Sequence, residues 1–265
     1  MRARVGFPGA TLPSRRAPWR LVRGIHELLG DIVHLNAAKT PDRVALIDAT
    51  TDRSVTFGEL DERVDRLANA LLGVGQPGDR VGILAENLPE YVECYYGAPS
   101  AGMALTLLNY RLNPKEWAWV LDNAEARVLI VQEKFLEPVR SVLDQVPSVE
   151  HVIVIGGSGE GGLASYDDFV GAGSATPPDL EVDEDTTAWL LYTSGTTGFP
   201  KGAMLTHRSL VTAAIESTIE YAPQPDERAL MAFPLCHVAG YAVSVNLIRG
   251  GLIVLMPAFE PELWM

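Results

Sequence analysis

The apolar positions along the chain change period several times, and the order of those changes predicts an architecture. VALID at 44–48 and SVTF at 54–57 flank the polar stretch ATTDR, the pattern of two short strands joined as a hairpin. Thr56 with Glu59 three positions on gives a capping-box signature, and Leu60, Val64, Leu67 and Leu71 then recur on one helix face that ends near Gly73 and Gly75. From residue 80 the two periods alternate. RVGIL (80–84), ALTLLN (104–109), RVLIVQ (127–132) and HVIVIG (151–156) read as nearly continuous apolar strands. Between them PEYVECYYGAPSAG (89–102), NPKEWAWVLDNA (113–124) and EPVRSVLDQV (137–146) read as helices. Strands without polar alternation, separated by helices, predict an α/β fold with a parallel sheet covered by helices on both faces and right-handed crossovers. After the acidic connector PPDLEVDEDT a further strand, TTAWLLY (186–192), enters a Gly-rich loop. His207 and Arg208 then open a helix carrying Leu210, Val211, Ala214 and Ile215, a structural role for both.

Composition narrows the classes of function. At 265 residues and 47% hydrophobic, the chain can bury a sizeable core, and no run approaches the roughly 18–20 apolar residues of a membrane span. The formal charge of −13 repels nucleic-acid phosphates at long range, so a phosphate partner has to be held by local geometry. Cys94 and Cys236 lie far apart, without a CxxC or a Cys/His cluster, which argues against structural zinc and a disulfide framework and fits a cytoplasmic setting. Residues 1–24 differ from the rest: they hold Arg2, Arg4, Arg15, Arg16, Arg20 and Arg23 and no acid, and read as a basic flexible extension, with an organelle address as the alternative. Pro8, Gly9 and Pro13 break the apolar stretch that a secretory signal would need there.

Two glycine-rich segments compete as phosphate sites. Gly157, Gly159 and Gly162 satisfy GxGxxG after a strand, but LASYDDFVGAG beyond them is short and acidic, and Glu160 would sit among the phosphates, so a plain turn is the better reading. YTSGTTGFPKG at 192–202 is different. Gly195, Gly198 and Gly202 open backbone conformations in which N–H groups converge on an anion, Thr193, Ser194, Thr196 and Thr197 add short-reach hydroxyls, and Pro200 shapes the turn that delivers Lys201; from the residues alone, an ordinary Ser/Thr/Gly/Pro loop between strands is the alternative. The spacing is not that of the Walker loop, because Pro200 and Ala203 occupy the positions where its second glycine would fall.

YTSGTTGFPKGAMLTH resembles the phosphate-binding signature of the AMP-forming adenylating superfamily: the acyl-CoA synthetases, firefly luciferases and nonribosomal-peptide adenylation domains. TFGELDERVDRLANAL, GDRVGILAENLPEYVECYYGAPSAGM, LNYRLNPKEWAWVLDNAEARVLIV and FPLCHVAGY are similar, in the same order, to segments of acyl-CoA synthetases. The resemblance implies activation of a carboxylic acid by ATP with Mg2+ to an acyl adenylate, followed by displacement of AMP by coenzyme A. It further implies that Thr193, Ser194, Gly195, Thr196, Thr197, Gly198 and Lys201 hold the β and γ phosphates, and that His237, with Gly240 and Tyr241, lies beside the acyl group. Read from the residues alone, His237 is better explained as a partly buried, hydrogen-bonded histidine under a loop.

By the same resemblance, residues 25–265 form an incomplete N-terminal AMP-binding domain. Its parts are an alternating β/α core at 80–156, the phosphate loop with part of a second α/β sheet at 186–265, and no mobile C-terminal domain. The strands near 44–57 and 230–256 would share that second sheet, leaving apolar edges exposed. The family's adenine and ribose contacts, magnesium glutamate and catalytic lysine fall beyond Met265, so no catalytic or metal-ligating residue is assigned. Two expectations follow: the N-terminal portion of an acyl-CoA synthetase inactive by itself, or a non-catalytic remnant that binds phosphate or carboxylate weakly.

Overall fold

The computed structural model describes residues 28–157, 163–193, 200–224 and 227–257. In chain order the elements are α1 (Asp31–Lys39), β1 (Val44–Asp48), β2 (Ser54–Thr56), α2 (Phe57–Leu72), β3 (Arg80–Leu84), α3 (Pro89–Ser100), β4 (Ala104–Leu107) and α4 (Pro114–Ala124). They continue with β5 (Ala126–Gln132), α5 (Glu133–Arg140), β6 (His151–Ile155), β7 (Ala164–Ser165), α6 (Tyr166–Ala172), β8 (Thr187–Thr193) and β9 (Lys201–Thr206). Last come α7 (His207–Tyr221), β10 (Arg228–Met231), α8 (Tyr241–Ile248) and β11 (Leu252–Leu255).

Among the described residues these strands form two sheets. The larger runs β7-β6-β5-β3-β4-β8-β9, parallel except for β9, which pairs antiparallel with β8 at the edge. The smaller runs β10-β11-β1-β2, with β1 and β2 as the expected hairpin and β11 parallel to β1. Segments some two hundred residues apart in sequence thus share one sheet. Leu230 on β10 and Met204 on β9 leave apolar side chains exposed at the two edges.

Both faces of the larger sheet are buried, which is why its strands lack polar alternation. In β5, Val128 and Ile130 join the core beneath α2 and α3, while Leu129 and Val131 join a second core with Trp117 and Leu121 of α4 and Val139 of α5. Helix α3 packs against β1 of the smaller sheet and against β3, β4 and β8 of the larger. All its residues are buried, so it shows no amphipathic stripe. Helix α2 carries the predicted capping box at Thr56 and Glu59 and buries Leu60, Val64, Leu67 and Leu71. Arg63 of α2 reaches the fully buried Glu93 of α3 at 2.6 Å and Asp167 of α6 at 2.9 Å, and the Tyr166 hydroxyl donates to the same Glu93 carboxylate at 2.9 Å.

The helix expected at 137–146 is displaced. It occupies Glu133–Arg140, with a 3₁₀ turn at Leu143–Gln145 beyond it, and Pro138 lies inside the helix. Starting at Glu133 places Phe135 within 6.0 Å of the Trp117 and Tyr110 rings and Lys134 at 2.7 Å from Glu86, tertiary contacts that offset the proline's cost. No helix among the described residues is long and apolar enough to cross a membrane. Residues 1–24, Gly159 and Gly162 lie outside the described residues.

Candidate active site

The phosphate-loop motif falls where β8 turns back into β9. Thr193 closes β8, Lys201 opens β9, and the two are register partners in the antiparallel pair. Because β8 runs parallel to β4, Thr193 stands at the carboxyl edge of the parallel strands, the edge at which open α/β sheets receive ligands. Ser194, Gly195, Thr196, Thr197 and Gly198 lie outside the described residues. Gly202 is opposite Tyr192, and a Cβ on it would meet that ring at 3.0 Å, so the absent side chain leaves room for the tyrosine.

Strand alternation decides what shares a face with this turn. Trp189 and Leu191 on β8 and Leu205 on β9 line an apolar cavity of about 310 Å³ together with Leu107 at the end of β4. Leu210 and Ala213 of α7 wall it, and His237, Val238 and Tyr241 complete it. Thr193 stands two residues beyond Leu191, and Lys201 and Leu205 are four apart, so both flanks of the turn project from the cavity's face of the sheet. Leu190, Tyr192, Gly202 and Met204 belong to the opposite face.

The predicted substrate residues fall into two groups. His237 and Tyr241 line the cavity, and the Tyr241 hydroxyl lies 3.3 Å from Ser217 Oγ on α7. Gly240 is buried behind them: a Cβ there would overlap the Tyr95 hydroxyl and press on the Leu235 carbonyl oxygen at 2.7 Å, so it serves packing beneath the cavity. Burial and the nearby Arg111 cation both push the His237 imidazole below its ordinary value of 6.5, leaving it neutral at pH 7. Burial raises the Cys236 thiol beside it to about 11, so that side chain is a poor nucleophile. The structural role expected for His207 and Arg208 is visible: His207 Nδ1 accepts from the Leu29 N–H at 3.1 Å, and Arg208 grips Asp185 at 2.7 and 3.1 Å.

Sequence reasoning missed Leu107, Trp189 and Leu205, each of which reads simply as an apolar strand residue. The Trp189 indole stacks on Tyr95 at 4.2 Å and donates to the Tyr95 carbonyl at 3.1 Å, so α3 fixes the cavity floor. The other glycine-rich segment keeps Gly156 at a positive φ of 82°. The helix that follows it, α6, has seven residues, with Asp167 and Asp168 in its first turn, an arrangement that repels a phosphate. No group of three or more His, Cys, Asp or Glu among the described residues could hold a metal ion.

Residues 33–265 match the family model described as AMP-binding enzyme. The chain belongs to this family. The chain is 39% identical over 215 residues to the feruloyl-CoA synthase of an Amycolatopsis species, an alignment covering 78% of the chain and 40% of the relative. It is 31% identical over 212 residues to the long-chain-fatty-acid–CoA ligase of Thermus thermophilus, covering 78% and 38%. Among solved structures, the anthranilate CoA ligase AuaEII in complex with anthranoyl-AMP superposes with a TM-score of 0.84 at 27% identity, over 89% of this chain and 46% of that one. ATP-bound MatB from Rhodopseudomonas palustris superposes with a TM-score of 0.75 at 26% identity, over 88% and 46%. The chain therefore spans about two fifths of the length of these curated relatives, which are named as a CoA synthase and CoA ligases.

Proposed function

We propose that this chain forms the N-terminal part of an ATP-dependent acid–thiol ligase, holding the trailing phosphates of ATP beside the acyl group of a carboxylic acid. One observation carries the reading: Thr193 and Lys201, which flank the phosphate-loop motif, share a sheet face with the apolar cavity that His237 and Tyr241 line. In the reaction the acid's carboxylate oxygen attacks the α-phosphorus, pyrophosphate leaves, and the thiol of coenzyme A then displaces AMP. The loop's N–H groups, hydroxyls and Lys201 ammonium would hold the β and γ phosphates and stabilise the charge that builds on the leaving pyrophosphate. The cavity offers an apolar acyl tail a dry wall, and neutral His237 gives the carboxylate end a polar neighbour without a fixed charge. Among the described residues no carboxylate cluster could hold Mg2+; bound with ATP, the ion would offset charge on the phosphates.

Calorimetric titration of Mg·ATP into the chain tests the reading. The parent chain is expected to bind, and the double variant Thr196→Ala/Lys201→Ala to bind at least about ten-fold more weakly, the loss of charge-assisted hydrogen bonds. Equal affinity in the two would remove the loop from the function.

A further inference from the structure

We propose that Asn87 is a positioning residue that fixes the segment carrying His237 against the carboxyl edge of the larger sheet. Its side chain is fully buried just beyond β3. Nδ2 donates to the carbonyls of Met231 at 3.1 Å, Phe233 at 2.9 Å and Met256 at 2.8 Å, while Oδ1 accepts the Leu235 N–H at 2.8 Å. Three carbonyls on one side and one N–H on the other leave a single orientation for the carboxamide, since the flipped amide would set its oxygen against carbonyls. One side chain thereby ties the ends of β10 and β11 and the turn after β10 to the end of β3.

An asparagine just before a proline-led helix reads as a capping residue. Helix α3 has no side-chain cap, and Asn87 instead bonds to chain 144 to 169 residues away. Such a buried amide costs little while all its groups are paired and a good deal when they are not.

The lever from Asn87 to His237 is short. Leu235 has its N–H held by Asn87 and its carbonyl held by the Tyr95 hydroxyl, so both sides of that residue's backbone are gripped two positions before His237. The His237 N–H then bonds to the Pro234 carbonyl at 3.1 Å, and the Gly240 N–H to the His237 carbonyl at 2.9 Å. Gly240 packs against Tyr95, and a Cβ there would overlap the tyrosine hydroxyl. Asn87 and Tyr95 together set how far His237 projects into the cavity. This role rests on the acyl-site reading for its purpose, though not for its geometry.

NMR on the full chain separates positioning from general stability. In Asn87→Ala the Leu235 amide is expected to exchange about ten-fold faster, while the Val128 and Ile130 amides of the central strand stay within about two-fold of the parent. The His237 imidazole should titrate closer to 6.5 as its segment loosens into solvent. Tyr95→Phe, which removes only the hydroxyl, should move His237 in the same direction and decides the matter if Asn87→Ala does not fold. Uniform loss of protection with an unchanged His237 titration in the alanine variant, or an unchanged titration in Tyr95→Phe, would overturn the proposal. Both readouts work without ligand, so failure of the parent chain to bind any of a panel of aliphatic and aromatic carboxylic acids would defeat the acyl reading alone.

Discussion

Thr193 and Lys201 face one another at the open end of the β8–β9 pair, so the motif between them leaves and re-enters the sheet at one point. That pairing puts the lysine beside the last threonine of the strand. Lys201 is exposed, and its contribution to ATP binding should therefore be sensitive to salt. Lys201→Ala is expected to weaken ATP binding about ten-fold at low ionic strength, with the gap narrowing several-fold in 0.5 M salt. Calorimetry at two salt concentrations reads both.

Gly240 and Tyr95 form a coupled pair. Gly240→Ala should destabilise the chain by about 1–3 kcal/mol through overpacking against the tyrosine hydroxyl and the Leu235 carbonyl. In a Tyr95→Phe background the penalty should shrink, since one of the two obstacles is gone. A double-mutant cycle by urea denaturation that returned purely additive losses would contradict this packing.

The buried ion pair makes a pH-dependent prediction. Burial pushes the Glu93 carboxyl above its ordinary value of 4.5, against the opposing pull of Arg63. Removing the cation in Arg63→Ala leaves a buried carboxylate without its ion-pair partner and should cost about 3–5 kcal/mol at pH 7. The carboxyl would then titrate higher still, and the proton it gains in acid removes the charge. The deficit against the parent should therefore shrink as pH falls from 7 to 5, and Arg63→Ala/Glu93→Gln should recover much of it. Denaturant midpoints at the two pH values check both outcomes.

His237 acts in the other direction. Its folded value lies below 6.5, so as pH falls through 6.5 the unfolded chain takes up the proton first and stability declines until the folded value is passed. Above that window the residue contributes no slope. His237→Gln should flatten the stability profile between pH 7 and its folded value, and an unchanged slope would show that the imidazole is not shielded at the cavity.

The features legible in the sequence were those encoded locally. Thr56 and Glu59 announce the start of α2 within four residues, and the uninterrupted apolar strands 80–84 and 127–132 announce a sheet buried on both faces. Helix α1 escaped periodicity because its inward face includes Asn36, whose amide donates at 2.8 Å to the Leu247 carbonyl far along the chain. The displaced α5 shows packing of Phe135 prevailing over the proline signal. At the site, glycines, hydroxyls and lysine identified the loop as a motif. Asn87 resembles a helix cap and Trp189 an ordinary strand residue, since their partners are brought together only by the fold.

Where ATP's trailing phosphates settle decides whether Thr193–Gly202 is a phosphate site. Mapping amide shifts of the isotopically labelled chain during a Mg·ATP titration locates them directly. The largest perturbations are expected in Thr193–Gly202, with smaller ones at the neighbouring cavity residues Leu191 and Leu205. Perturbations centred instead on Gly156, Gly157 and the start of α6, with Thr193–Gly202 unmoved, would contradict that assignment.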